Sequence, residues 1–317
     1  MRQRDNEHTR RPSRRDFLAG LAAAPVVGGA PSGPVVDAHM HVWSNDTVRF
    51  PYAHPYDPNF KPPATAGSVE MLLAEMDRYA IEYAVLVQVI YYGWDNRYVA
   101  HCLRQSPRRL RAHGLIDPTD RDLAGKLEYW MRQHGLSGMR FSPIYYRGKD
   151  AWINGVAHHS LWKKAEELGA IFNFFIAADQ LARLDDMVGR FPGVRVVIDH
   201  LARVNLAGPD PADDVAKLTQ LARHRNVWVK VSELSILSPS KKYPYADTFP
   251  WVRRVYDAFG PDRLLWGTGF PGATRAQAGR PSLADELRLV REGIPFFSDE
   301  EREKILGRNA VRLWNFA

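Results

Sequence analysis

The chain has 317 residues, 45% of them hydrophobic and 25% charged, a balance that excludes a disordered or low-complexity chain. Its formal charge of +7 invites a nucleic-acid reading, but residues 1–33 hold six arginines against three acidic residues, an excess of +3. The remaining charge of about +4 is ordinary for solubility, and with no basic stripe interleaved with aromatics nucleic acid is not expected as a partner.

The segment Ser13-Arg14-Arg15-Asp16-Phe17-Leu18-Ala19 resembles a twin-arginine export signal. A mildly apolar run, Phe17 to Val27, follows it and is too short to span a bilayer, which takes about 20 residues. Gly28-Gly29-Ala30 supplies small residues for cleavage. The expectation is a signal peptide and linker over residues 1–33, followed by one domain over 34–317. The twin-arginine translocase would be the partner during export, with the periplasm or cell exterior as destination and no membrane contact afterwards.

Next comes Pro34-Val35-Val36 and then Asp37-Ala38-His39-Met40-His41. Alternate side chains of a strand share a face, so Asp37, His39 and His41 are expected to point together. Two imidazoles where a buried strand ends make half a metal site or a proton-handling pair. The loop from Val48 to Ala66 is stiff with prolines and holds Phe50, Tyr52, His54, Tyr56 and Phe60, which line or cover a pocket or simply pack inward.

β-branched or apolar runs recur at Val35–His41, Tyr83–Ile90, Leu110–Ile116, Leu136–Phe141, Ile171–Ile176, Val194–Asp199, Val227–Val231 and Leu264–Trp266. Helix-period segments separate them at Val69–Ala80, Asn96–Gln105, Leu123–Gln133, Ser160–Leu168, Leu181–Arg190, Asp213–Ala222 and Phe249–Phe259, with another at Ser282–Glu292. This alternation predicts an α/β fold, a (β/α)8 TIM barrel with C-terminal helices over Ser298–Phe316 at one barrel end. A doubly wound open sheet competes, but no Gly-x-Gly-x-x-Gly follows the first strand. Cys102 is the only cysteine, so an intrachain disulfide and cysteine-rich zinc sites are excluded.

Polar residues gather where these strands end: Tyr92-Gly93-Trp94-Asp95-Asn96, Gly138-Met139-Arg140, Asp199-His200-Leu201, Lys230-Val231-Ser232-Glu233 and Trp266-Gly267-Thr268-Gly269-Phe270-Pro271. Together with Asp37–His41 this ordered set resembles the amidohydrolase-related barrels, in the branch of lactone hydrolases, dicarboxypyrone hydrolase and metal-dependent decarboxylases. The resemblance implies His39, His41, His200 and Glu233 as candidate catalytic residues. It also implies Arg140 toward a small-molecule substrate; Lys230, Tyr91 and Trp94 are further substrate-binding candidates, with Tyr91 and Trp94 otherwise packing residues. His39, His41 and His200 would hold one divalent metal such as zinc, if any cofactor is used.

Two departures stand out. The family usually carries a carboxylate between the Ser/Thr and aromatic-Pro of the strand-eight motif, and here that position is Gly269. Its metal-using members place a His at the end of strand five, where Ile171–Ile176 has none. The replacement base would be His41, His200 or Glu233. The reading is an exported hydrolase of a small cyclic ester or related carboxylated substrate. Its alternatives are a catalytically impaired barrel that binds a small ligand, or a metal-dependent decarboxylase. Arg140 either clamps a substrate anion or pairs with Asp199 or Glu233, and Lys230 either meets substrate or is a buried partner for a carboxylate. Asp95-Asn96 is expected to cap the following helix, and His158-His159 to lie on the surface.

Overall fold

The computed structural model describes residues 33–61, 63, 65–269 and 280–317. The expected export signal, Pro62, and Phe270-Pro271 of the strand-eight motif lie outside the described residues. Among the described residues eight strands form one parallel sheet in chain order: β1 (Val36–Met40), β2 (Tyr83–Val87), β3 (Leu110–Leu115), β4 (Gly138–Phe141), β5 (Ile171–Phe174), β6 (Arg195–Ile198), β7 (Val227–Lys230) and β8 (Leu264–Leu265). Ala38 N–H donates to Trp266 O at 3.1 Å and Gly269 N–H to His39 O at 2.6 Å, joining the last strand to the first. The helices between them are α1 (Val69–Arg78), α2 (Arg97–Gln105), α3 (Leu123–His134), α4 (His159–Leu168), α5 (Leu181–Arg190), α6 (Pro211–Gln220), the short α7 (Leu234–Leu237) and α8 (Phe249–Phe259). The predicted runs fall in place, trimmed by a few residues where loops begin.

Every residue of β5 and β4 is buried, as expected for parallel strands covered on both faces. Outward side chains such as Phe172 and Phe174 pack with Trp162 of α4 in the layer between sheet and helices. Inside the barrel Val36, Ala38, Val85, Ile171, Val197 and Leu265 meet Leu313, Trp314 and Phe316. The C-terminal helices thus plug one end, and hydrogen bonds identify which. Tyr83 Oη donates to Ala317 O at 2.6 Å, Arg111 Nε to Trp314 O at 3.2 Å and Arg195 Nη1 to Leu313 O at 2.9 Å, all from residues where strands begin. Gly307 permits this closure, since a Cβ there would overlap the Pro34 carbonyl. The opposite, C-terminal mouth is left for a site.

The strict alternation expected in β1 is broken. Asp37 pairs with Ala84 and Met40 with Leu86, so three steps along β1 answer two along β2. Asp37 Oδ2 accepts from Thr268 Oγ1 at 2.6 Å, and the same hydroxyl lies 3.7 Å from Met40 Sδ. Asp37 therefore does not join the imidazoles but ties β1 to the segment after β8. Two smaller expectations are met only in part. Asp95 Oδ1 accepts from Arg97 N–H at 3.0 Å as α2 begins, but the Asn96 side chain does not cap; its amide accepts from Leu115 N–H at 2.7 Å and donates to Leu115 O at 2.8 Å, fastening the end of β3. His158 is buried, with Nε2 on Pro118 O at 2.8 Å.

His113 of β3 accepts from Trp314 Nε1 at 2.8 Å inside the plug, and burial followed by the Lys230 charge lowers its pKa to about 3. Its unfolded value is near 6.5. Between these values the unfolded chain binds a proton that the folded chain lacks, so this group removes stability as pH falls from about 6.5 toward 3 and contributes nothing above. His113→Gln should therefore shallow the acid side of a stability–pH curve by about 1.4 kcal/mol per pH unit in that window, read from urea midpoints. An unchanged slope would contradict the assignment.

Candidate active site

At the centre of the barrel the Asp199 carboxylate is fully buried at the end of β6. Arg140 Nε donates to its Oδ2 at 3.0 Å, and the Lys230 ammonium lies 2.9 Å from Oδ1 as an ion contact. His39 Nδ1 stands 3.4 Å from the same oxygen. Burial opposes ionisation of Asp199, but Lys230, then His39 and Arg140, outweigh it and hold the carboxyl well below the usual range. Lys230 is pulled below its ordinary value by burial, partly offset by Asp199.

The imidazoles sit above this charge cluster. His39 Nε2 and His41 Nε2 are 3.2 Å apart, and the His39 and His200 ring centroids are 4.4 Å apart. His41 Nδ1 is 2.7 Å from Val87 O, so Nδ1 carries the proton and Nε2 offers a lone pair. Lys230 Nζ, which can only donate, is 3.1 Å from His39 Nδ1. The network therefore assigns His39 the Nε2–H tautomer, donating to His41. His200 Nδ1 is held by Ser232 Oγ at 2.8 Å, leaving Nε2 toward the mouth. Burial, then the Arg140 charge, lowers His41 to about 4. Burial lowers His200 to about 4 despite Glu233. Both rings are neutral at pH 7 and able to accept protons.

His200 belongs to a turn of four consecutive residues in the left-handed region, His200, Leu201, Ala202 and Arg203, with φ of 51°, 52°, 54° and 49°. Such a turn costs about 1–2 kcal/mol per residue. Ala202 N–H to Asp199 O at 3.0 Å closes it, and Arg203 Nη1 on Glu233 Oε2 at 2.7 Å anchors its far end. Glu233, itself at φ 57°, also receives Arg280 Nη2 on Oε1 at 2.9 Å. Burial raises its pKa, but His200, Arg280 and Arg203 prevail and bring it to about 2.

A narrow cleft with a free volume of about 10 Å³ opens beside this cluster, lined by Tyr56, Ile90, Trp94, Leu115, Ile116, Pro118, Arg140, Phe141, Ser142 and Tyr146. Arg140 packs over the Phe175 ring, 4.7 Å from its centroid. Its Nε is engaged by Asp199, whereas neither terminal nitrogen has a protein partner among the described residues. The aromatic loop after β1 does cover the pocket: Tyr56 Oη meets Tyr146 Oη from the segment after β4.

Of the residues expected at the site, the structure brings together His39, His41, His200, Glu233, Arg140 and Lys230, and Trp94 lines the cavity. Two take the packed alternative rather than the substrate-facing one. Tyr91 stacks on Phe60 at 4.7 Å beneath the loop and does not line the cavity. Lys230 is fully buried with its ammonium on Asp199 and His39, a positioning place rather than a substrate-facing one. Arg203 and Arg280 are not among the residues expected at the site, and Ser232 stands in the strand-seven motif without an assigned role. Asn173 of β5 is fully buried, and neither of its amide atoms has a hydrogen-bond partner among the described residues.

The donor set offers ligands for a metal. One ligand atom each from His39, Asp199 and His200 lies within 4.8 Å of the others. The His39–His41 Nε2 separation of 3.2 Å is close to the roughly 3.3 Å that two nitrogens keep on a tetrahedral zinc. The anchored Nδ1 atoms of His41 and His200 supply the outer partners such ligands use. His39 fits once its proton moves to Nδ1, facing Asp199 Oδ1. The residues therefore fit a divalent ion held mainly by imidazole.

Neutral imidazoles, a guanidinium and an enclosed cavity at the C-terminal mouth of a closed α/β barrel define a barrel enzyme of the hydrolase kind. The sequence matches the amidohydrolase family over residues 36–316, and the chain belongs to that family. It is 31% identical over 300 residues to the 4-sulfomuconolactone hydrolase of Rhizobium radiobacter, covering 92% of this chain and 93% of that one. It is 28% identical over 301 residues to the 2-pyrone-4,6-dicarboxylate hydrolase of Comamonas testosteroni, covering 90% of each. A crystal structure of a Burkholderia multivorans amidohydrolase with bound zinc superposes with a TM-score of 0.72 at 20% identity, covering 90% of this chain and 100% of that one.

Lys230→Met would leave Asp199 buried with one fewer cation. Its expected cost is about 3–5 kcal/mol in urea unfolding with little change in slope. A loss under 1 kcal/mol would show that the cluster does not depend on the ammonium.

Proposed function

We propose that this chain hydrolyses a small cyclic ester bearing an anionic group. The observation that carries this reading is the pair of Arg140 terminal nitrogens, without a partner among the described residues, on the wall of a cavity beside three neutral imidazoles. Two parallel N–H groups on a guanidinium fork suit a carboxylate or sulfonate. The apolar walls supplied by Ile90, Trp94, Ile116 and Phe141 suit a flat ring. The names of the two relatives, both hydrolases of lactone-type acids, support the same class.

In this reading Arg140 seats the anion and turns the ester carbonyl toward the imidazoles. His200 Nε2 accepts a proton from the attacking water and returns it to the ring oxygen as the ester C–O bond breaks. Lys230 and Asp199 hold His39 in place. His39 and His41 would hold a divalent ion such as zinc, which when bound would polarise the carbonyl, and His200 Nε2 stays free for the proton. We also propose that residues 1–33 direct export through the twin-arginine translocase to the periplasm or cell exterior.

A panel of five- and six-membered lactones, with and without a carboxylate or sulfonate, assayed by proton release, tests the activity. The anionic lactones should turn over, and Arg140→Met should raise KM roughly 10- to 100-fold, the worth of a charge-assisted contact. No turnover of any lactone, with or without added zinc, would refute the hydrolase reading. Elemental analysis should find stoichiometric zinc in the purified protein and its loss in His39→Ala. For export, Arg14→Lys with Arg15→Lys should retain the protein in the cytoplasm; undiminished export would reject the address.

A further inference from the structure

Position 269 has no side chain, and the structure shows what occupies the neighbouring space. Gly269 follows β8 with φ +71°, its N–H fixed on His39 O at 2.6 Å. A Cβ built there would stand in van der Waals contact, 3.7 Å, with Glu233 Oε1. A carboxylate carried on position 269 would therefore lie beside that of Glu233, on a backbone at φ +71° that strains any side chain. Glu233 reaches it from beyond β7 through its own left-handed backbone, φ 57°, and both oxygens are fixed, one by Arg203 at 2.7 Å and one by Arg280 at 2.9 Å. Oε1 lies 4.0 Å from His200 Nε2. That gap is too long for a direct hydrogen bond. It suits one water that bridges the two with legs of about 2.8 Å.

Building on the hydrolase reading, we propose that Glu233 is the catalytic carboxylate of this barrel, orienting the attacking water for His200. One O–H of the water points to Glu233 Oε1, which has a lone pair beyond the one taken by Arg280. The other O–H points to His200 Nε2. As the water oxygen bonds to the ester carbonyl carbon, its proton passes to His200. The ring C–O bond then breaks, and the ring oxygen takes that proton, giving an open hydroxy acid. Arg203 and Arg280 are positioning residues that keep Glu233 aimed. Fixing the acceptor before water arrives is where such a device gains rate.

The test compares wild type, Glu233→Gln, Glu233→Ala, Gly269→Asp and the Glu233→Ala/Gly269→Asp pair on the anionic lactone turned over best by wild type. The melting transition of each is followed alongside. Glu233→Ala and the isosteric Glu233→Gln should lose about 100-fold or more in kcat with KM within about threefold. Added formate, or the Gly269→Asp change, should restore at least tenfold to Glu233→Ala by returning a carboxylate to that space. Gly269→Asp alone should lower activity, because two carboxylates then lie side by side. A purely structural Glu233 would not answer to formate or to the relocated carboxylate. Retention of kcat within threefold in Glu233→Gln overturns the proposal, as does loss that neither formate nor relocation repairs, or a gain of activity in Gly269→Asp alone. Absence of wild-type turnover refutes the hydrolase reading and this inference with it, whereas an active wild type with an indifferent Glu233 refutes the inference alone.

Discussion

The buried Asp199 carboxylate organises the barrel interior. Placing a charge there is costly, and only the Lys230 ammonium at 2.9 Å and the Arg140 guanidinium at 3.0 Å make it tolerable. Because those partners come from different strands, the ion cluster fixes the relative height of β4, β6 and β7 while the sheet closes. The same charges determine the chemistry above them. Lys230 offers a proton to His39 Nδ1, His39 therefore donates from Nε2, and His41 accepts while bonded to Val87 O. One carboxylate and one ammonium thus determine which nitrogens of a histidine pair are available.

The two ends of the barrel divide the physical tasks. At the strand starts Leu313, Trp314 and Phe316 fill the interior, and the last carbonyls of the chain satisfy Arg111 and Arg195. At the strand ends the backbone is strained instead of packed: a left-handed turn from His200 to Arg203 and left-handed residues at Glu233 and Gly269. Stability supplied at the plugged end can offset strain at the mouth, where it positions side chains. The Arg203–Glu233 bridge connects the turn after β6 with the one after β7, so His200 and Glu233 move as a unit.

Membership in the amidohydrolase family and similarity to lactone hydrolases agree with what the mouth offers. The cavity is mostly aromatic and aliphatic, and Arg140 provides its directed charge. The loop after β1 closes over it through Tyr56 and Tyr146, far apart in the chain but joined by their hydroxyls.

The sequence by itself determined the barrel and much of its equipment. Apolar and β-branched runs separated by helix-period segments sufficed for eight strands, and polar residues at run ends, His39, His41, Arg140, His200 and Glu233, lie where the strand ends meet. These are local patterns, and local patterns are what a linear sequence reports. Only the tertiary structure decided that a bulge removes Asp37 from the histidines, that Lys230 is buried under His39, and that Tyr91 packs while Tyr56 faces the cavity. Only it placed Arg203 and Arg280 on Glu233, and Glu233 against Gly269. Each of those outcomes depends on barrel closure and on backbone left in the left-handed region. Neither has a signature in residue spacing, because both arise from groups brought together across tens to hundreds of residues.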